Sequence, residues 1–280
     1  MSDVLVERGD DGVAIVTLNR PDRANAWSPA LEQAFYEVLS RLDGDPQVRV
    51  AVLTGAGRHF CPGVDTQRLG DIAGQPMDLS GRTGPQHTWA FRKPLIAAIN
   101  GGCAGIGLVQ ALHCDVRFAA RGARFATAFA RRGLAGEYGM TWILPRIVGL
   151  ESALDLLLSG RTFDADEAQS LGVVSRVVEP DQLMTEALSY ARDLAANSSP
   201  ASMAMIKHQV LSDLDVDYET GVRHAYRAMA HLAQLPDFRE GVDSFVHKRP
   251  PRFSPLPADL SPEAVIGKPF TAVRVDPTQP

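Results

Sequence analysis

The stretch NGGCAGIGLVQALHCD, residues 100–115, constrains the fold more than any other part of the chain. An apolar run, PLIAAIN (94–100), leads into its glycine-rich turn, and CDVRFAA (114–120) follows its apolar helix. Strand, turn, helix and strand in so short a span predict a crossover between parallel strands of one sheet. The segment Pro94–Leu112 is also long enough to imitate a membrane span. It opens on proline, holds Asn100 near its centre and carries several glycines, so a buried strand, turn and helix explain it better.

The rest of the first half repeats the pattern. VAIVTLN (13–19) and VRVAVLTG (48–55) are β-branched, near-continuous apolar runs and predict buried strands. Between them Ser28 and Pro29 open a helix as N-cap and first residue. Leu31, Phe35, Val38, Leu39 and Leu42 form its apolar face. Beyond about residue 125 the chain reads as mostly helical. Leu150–Ser159 is a helix, Phe163-Asp164-Ala165 leads into a short one, and GVVSRVV (172–178) is a strand. Asp181–Ala196, Pro200–Leu211, Val216–Leu232 and Pro236–Val246 are four more helices. Asn197-Ser198-Ser199-Pro200 divides an α/β core, 1–196, from a helical region, 197–253. The Pro-rich residues 254–280 are expected to be extended.

Composition narrows the function. The chain has 280 residues, 45% hydrophobic and 22% charged, with a net charge of −5 and no basic stripe, so nucleic acid is not an expected partner. Cys61, Cys103 and Cys114 show no metal-ligand spacing; free thiols and a reducing, cytoplasmic compartment are expected, with no metal. The charged N-terminus carries no signal-peptide run.

Two glycine-rich turns, TGAGRHFCPGVD (54–65) and NGGCAGIG (100–107), each follow a buried strand. Peptide N–H groups at a helix start have no intrahelical acceptor, and two aimed at one point stabilise a developing oxyanion. Alternatively, the glycines serve only to permit unusual φ angles. The segment 70–86, rich in Gly and Pro and carrying Asp71, reads as a lid, with His87 beside it.

Together with VTLNRPDRANAWS (16–28), KPLIAAINGG (93–102), the CD of 114–115, PRIVG (145–149), RTFDADEAQSLGVVSRVV (161–178) and FREGVDSFVHKRPPRF (238–253), these turns make the chain resemble the enoyl-CoA hydratase/isomerase, or crotonase, family. The resemblance runs from Val13 to about Phe253. It implies a ββα spiral core with a helical C-terminal region and a trimer or dimer of trimers. The implied ligand is a coenzyme A thioester, with no permanently bound cofactor. It places the oxyanion hole on the backbone N–H groups of Val64 and Ile106. The nucleotide end of CoA falls near Arg23, Ala24, Ala26, Arg58 and Lys248, whose cations read equally as solvated surface charges. Asp65, Gly105, Phe129 and Tyr138 complete the expected substrate-binding set. Asp65 also reads as a bond to its own loop, and Tyr138, with Trp142, as packing. His113 and Cys114 read as the helix end and core.

Hydratases of this family use two glutamates. The matching positions hold Val109 and Phe129, which cannot move a proton. A third family carboxylate position holds Glu137, in GLAGEYGMTW, read as a loop entering a helix. Glu137 is therefore either the acid/base or a helix-end acid that complements the dipole. The resemblance implies double-bond isomerisation or a non-standard hydration. A thioester hydrolase and a silent CoA-thioester-binding protein are the alternatives.

Overall fold

The computed structural model describes residues 2–65, 84 and 86–267. The expected lid therefore lies almost wholly outside the described residues, Asp71 included.

The five predicted strands lie in one sheet, which one further strand, not predicted, extends at its edge. Val4–Arg8 (β1) pairs antiparallel with Val13–Leu18 (β2), and Val50–Gly55 (β3), Leu95–Ile99 (β5), Val116–Ala120 (β7) and Arg176–Val178 (β10) continue it in parallel, in the order β1-β2-β3-β5-β7-β10. Val50–Gly55 and Leu95–Ile99 are buried throughout, as strands covered on both faces must be. Of GVVSRVV only its last three residues pair; Val173 and Val174 are buried in the core instead.

A second sheet was not legible in the sequence. His59–Cys61 (β4), Gly102–Ala104 (β6), Arg124–Ala126 (β8) and Thr162–Asp164 (β9) make it, in that order. Each strand has three residues, too few to show a period. The glycine-rich stretch thus holds a strand, β6, before its helix. The pairs β3/β4, β5/β6 and β7/β8 each contribute one strand to each sheet, which is the ββα spiral.

The helix Pro29–Gly44 (α1) starts as expected, with Ser28 Oγ accepting from Leu31 N–H at 3.2 Å, and all five residues of its apolar face are buried. Burial on that scale contributes about 1.5–3 kcal/mol per side chain. Its C-terminal end is closed by Lys93, whose ammonium donates to the Leu42 and Asp45 carbonyls at 2.6 Å each. Burial lowers the Lys93 pKa to about 8. Gln86–Ala90 (α2) and Ile106–Leu112 (α3) follow; every residue of α3 is buried. Then come Met140–Val148 (α4), Leu150–Ser159 (α5) and Ala165–Ser170 (α6). Leu183–Asn197 (α7) covers the sheet's other face through Leu183, Ala187, Ala191 and Ala195.

Pro200–Asp213 (α8) and Tyr218–Leu232 (α9) share a separate small core, and Pro236–Val246 (α10) follows. The expectation of an extended chain over 254–280 is corrected for residues 254–267; residues 268–280 lie outside the described residues. Leu256, Leu260 and Ile266 are buried in that small core, and Pro262–Ile266 (α11) is helical. Arg49 and Arg92 fasten this segment by donating to the Phe253 and Leu260 carbonyls. The apolar spacing of Leu256 and Leu260 outweighs the local proline content. Among the described residues, no helix is long and apolar enough to cross a membrane.

Candidate active site

The two glycine-rich turns meet. Trp27 forms a parallel bridge to Val64: Trp27 N–H donates to the Gly63 carbonyl at 2.8 Å, and Asp65 N–H donates to the Trp27 carbonyl at 3.1 Å. Such a bridge uses the groups on either side of Val64 and turns Val64's own N–H away from Trp27. Gly63 and Gly105 both have positive φ, +117° and +51°, and a Cβ on Gly105 would lie 3.7 Å from Gly63 Cα. That close approach sets Val64 and Ile106 side by side in space. Gly105 N–H donates to the Ala126 carbonyl, whereas Ile106 opens α3, where a peptide N–H has no intrahelical acceptor. At Gly107 a Cβ would overlap the Cys61 carbonyl oxygen, so α3 sits directly on β4. Burial raises the Cys61 thiol to about 12, which leaves it protonated and no rival nucleophile here.

A second cluster forms past the ends of β2 and β3. Asn25 is fully buried, and its amide donates to the carbonyls of Ala56 (2.9 Å) and His59 (2.7 Å) while accepting from Arg20 N–H (2.9 Å). Ala24 and Asn25 both sit at positive φ, which Asn tolerates better than most residues. Asn100 closes the far side by donating to the Gly55 and Gly57 carbonyls, 2.9 Å each. These clamps bring Arg23, Ala24 and Ala26 to the loop that carries Arg58; both arginines are exposed. Arg20 joins the cluster to the first turn, donating to the Ala26 carbonyl at 2.6 Å and to the Asp65 carboxylate at 3.4 Å. Asp65 thus braces two loops. The sequence reading assigned Asn25 no role and used Asn100 only as a break in an apolar run; an asparagine beside a glycine-rich or special turn was the available signal.

Lys248 lies elsewhere. It is exposed beyond α10, its neighbour Arg249 bonds Glu240, and Phe253 is held by Arg49 ahead of β3. Arg23 and Arg58 follow the opposite ends of β2 and β3. Within one chain these contacts leave Lys248 away from the other four.

Val109 is fully buried one turn into α3, and Phe129 is buried ahead of the short 3-10 turn Ala130–Arg132. Both belong to the main core with Ile106 and Met140. Glu137 is half-buried. It does not stand in the first turn of α4: Gly139 is the N-cap, and that first turn contains no acid. Glu137 stands two residues ahead of that N-cap. Its carbonyl accepts from Met140 N–H at 3.0 Å, and Tyr138 (φ +53°) and Gly139 (φ +75°) turn the chain after it. A left-handed tyrosine costs about 1–2 kcal/mol, a strain of the kind that concentrates at functional sites. Tyr138 and Trp142 pack, half-buried, against the main core.

His113 ends α3, with its ring N–H donating to the Val109 carbonyl at 2.8 Å. Burial pushes its pKa down to about 4, so the ring is neutral near pH 7. No group of three or more His, Cys, Asp and Glu side chains suited to a metal ion occurs among the described residues.

Comparisons with known proteins show the family and the fold. The family model described as enoyl-CoA hydratase/isomerase matches residues 8–255. A 1,2-epoxyphenylacetyl-CoA isomerase of Escherichia coli (strain K12) is 34% identical, over 91% of this chain and 99% of its own. The crystal structure of an enoyl-CoA hydratase from Bacillus anthracis superposes with a TM-score of 0.83 at 31% identity, covering 90% of this chain and 99% of that one. That of the enoyl-CoA hydratase EchA12_1 from Mycobacterium marinum shares 54% identity at a TM-score of 0.66, over 75% of this chain and 97% of that one. The chain belongs to the enoyl-CoA hydratase/isomerase family and is an enzyme of that family, built on the crotonase fold.

Proposed function

We propose that the enzyme moves a double bond within an acyl-CoA thioester through an enolate, with Glu137 as its acid/base. The observation that carries this is the contrast around α3. Both hydratase positions, Val109 and Phe129, are buried apolar side chains, while Glu137 remains half-buried, directly before a left-handed tyrosine. The Glu137 carboxylate takes a proton from a carbon next to the thioester or conjugated with it. The electron pair spreads onto the thioester oxygen, which accepts hydrogen bonds from the Val64 and Ile106 N–H groups. The carboxylic acid so formed returns the proton at the other end of the conjugated system. One carboxylate suffices for both transfers. Adding water asks for a second group to hold and activate it.

The names of similar proteins include a 1,2-epoxyphenylacetyl-CoA isomerase in Escherichia coli and hydratases in the two solved structures. Non-standard hydration is therefore the second reading. Arg23 and Arg58, with Ala24 and Ala26, suit the phosphates and adenosine of CoA, which need cations beside exposed backbone. Assembly as a trimer or dimer of trimers fits the exposed Ile206, Val210, Tyr226 and Met229 on α8 and α9. Three free, buried cysteines fit a reducing, cytoplasmic setting.

A panel of unsaturated acyl-CoA thioesters analysed by mass spectrometry tests the reaction. Isomerisation yields a product of unchanged mass with a displaced double bond. Hydration, seen as one added water, or release of free CoA would replace this reading. Binding of the whole panel without turnover would leave a silent binder.

A further inference from the structure

The direction of the Val64 N–H is not set by Val64. That N–H shares a peptide unit with the Gly63 carbonyl, and in a planar trans peptide the two groups point opposite ways. The Gly63 carbonyl accepts from Trp27 N–H at 2.8 Å, so this hydrogen bond sets where the Val64 N–H points. Trp27 N–H in turn shares its peptide unit with the Ala26 carbonyl, which accepts from the Arg20 guanidinium at 2.6 Å. Guanidinium, Ala26–Trp27 peptide and Gly63–Val64 peptide therefore form a series that ends at the Val64 donor.

The series starts at a cation and is sheltered along its length. Ala26, Trp27 and Gly63 are buried, and the Arg20 side chain is only 20% exposed, so water screens it little. In such surroundings hydrogen bonds in series polarise one another, each strengthened by about 10–30%. A charged donor at the head adds to this, because its bond to a carbonyl is stronger than a neutral one. The head is itself fixed. Arg20 N–H donates to Asn25 Oδ1 at 2.9 Å, and Asn25 N–H donates to the Arg20 carbonyl at 2.8 Å. The Asp65 carboxylate meets the guanidinium from the side at 3.4 Å, the longer of the two contacts. The Trp27–Val64 bridge stands outside both sheets, and Gly63, at φ +117°, is free to turn. The angle of the Gly63–Val64 peptide thus depends on this series rather than on a ladder of neighbouring strands.

We propose that Arg20 is a positioning residue for the reaction: through two peptide units it aims and polarises the Val64 N–H toward the thioester oxygen. This rests on the reading of Val64 as an oxyanion donor given above.

The test reads the carbonyl itself and needs no turnover. Butyryl-CoA, isotopically labelled at its thioester carbonyl carbon, is bound to each variant. Its affinity is measured by calorimetry and its carbonyl stretch by infrared difference spectroscopy. Hydrogen bonds to the oxygen weaken the C=O bond, so the stretching frequency should fall on binding to wild type. Arg20→Gln should lose about half of that fall, because one of two donors slackens, while affinity stays within about threefold. Arg20→Lys, which keeps a cation at the head, should retain most of it. Where Arg20→Gln does not fold, Asp65→Asn decides. It leaves the guanidinium on Ala26 and removes the opposing charge, so the fall should match or exceed that of wild type; its loss would overturn the proposal. A full wild-type fall in folded Arg20→Gln would overturn the role of Arg20 and leave the oxyanion hole standing. A bound probe with an unshifted carbonyl in wild type would overturn the hole and the role of Arg20 together. Failure of wild type to bind the probe would overturn the acyl-CoA reading with both.

Discussion

The site divides into two halves built on different principles. The half proposed to hold the oxyanion, Gly63-Val64 against Gly105-Ile106, is made of backbone, and Ile106 opens the fully buried helix α3. The half proposed to move the proton, from Ala128 to Gly139, is made of side chains on a loop with exposed stretches and left-handed residues at Ala128, Gly133, Tyr138 and Gly139. The difference teaches where such an enzyme is free to change. Backbone donors are fixed by packing and survive almost any side-chain substitution. A carboxylate on a loop is lost or relocated by a single one.

The sharpest way to break this comparison is at Glu137. Glu137→Gln removes the only carboxylate assigned to the chemistry and should lower kcat by about 10²–10⁴, with KM little changed. Unaltered kcat on the enzyme's own substrate would move the acid/base elsewhere. Next comes Ile106. Proline is compatible with the first residue of a helix and deletes only the N–H there, so Ile106→Pro should cost about 10²–10³ in rate. Ile106→Ala should keep most of the activity. Folded Ala and Pro variants of equal activity would remove Ile106 as a donor.

Replacing both Val109 and Phe129 with Glu asks whether the site is a decayed hydratase or a reshaped pocket. Both positions are buried in apolar core, so new carboxylates would be desolvated and either destabilise the fold or stay protonated. The double variant should melt at a clearly lower temperature and gain little hydration of crotonyl-CoA. A stable, hydrating variant would show that the pocket was never remodelled around Glu137.

The smallest expected effect is a pH dependence. His113 has its folded pKa near 4, below the ordinary 6.5. Between those values the unfolded chain binds a proton that the folded one refuses. Stability is therefore full above pH 6.5 and falls as the pH drops to 4, by roughly 3 kcal/mol at most. Denaturant titrations of wild type and His113→Phe across that window should show a steeper loss in wild type; parallel curves would mean that His113 is not held neutral by the fold.

The sequence disclosed the two halves unequally. The long parallel strands, the Ser28 cap and the glycine turns were legible because each leaves a local signal in periodicity or residue type. The absence of both hydratase acids was legible by position. The three-residue strands of the second sheet were not, because each is defined only by its partners. Nor were the Asn25 clamp, the hydrogen bonds that run from Thr88 Oγ1 to Gln110 Oε1 and from Gln110 Nε2 to Tyr36 Oη, and the edge-on contact of Trp89 with Trp142, whose members lie far apart in sequence and meet only through the fold.

The central claim is that Glu137 makes and quenches an enolate held by backbone N–H groups. Proton exchange reports that step directly, because it proceeds even where no net product forms. Wild type incubated in heavy water with a turned-over acyl-CoA should place deuterium at the carbon next to the thioester or at the far end of its conjugated system, read by mass spectrometry. Glu137→Gln, folded and still binding the thioester, should show exchange at least about a hundredfold slower. Exchange at the wild-type rate in that variant would contradict the account.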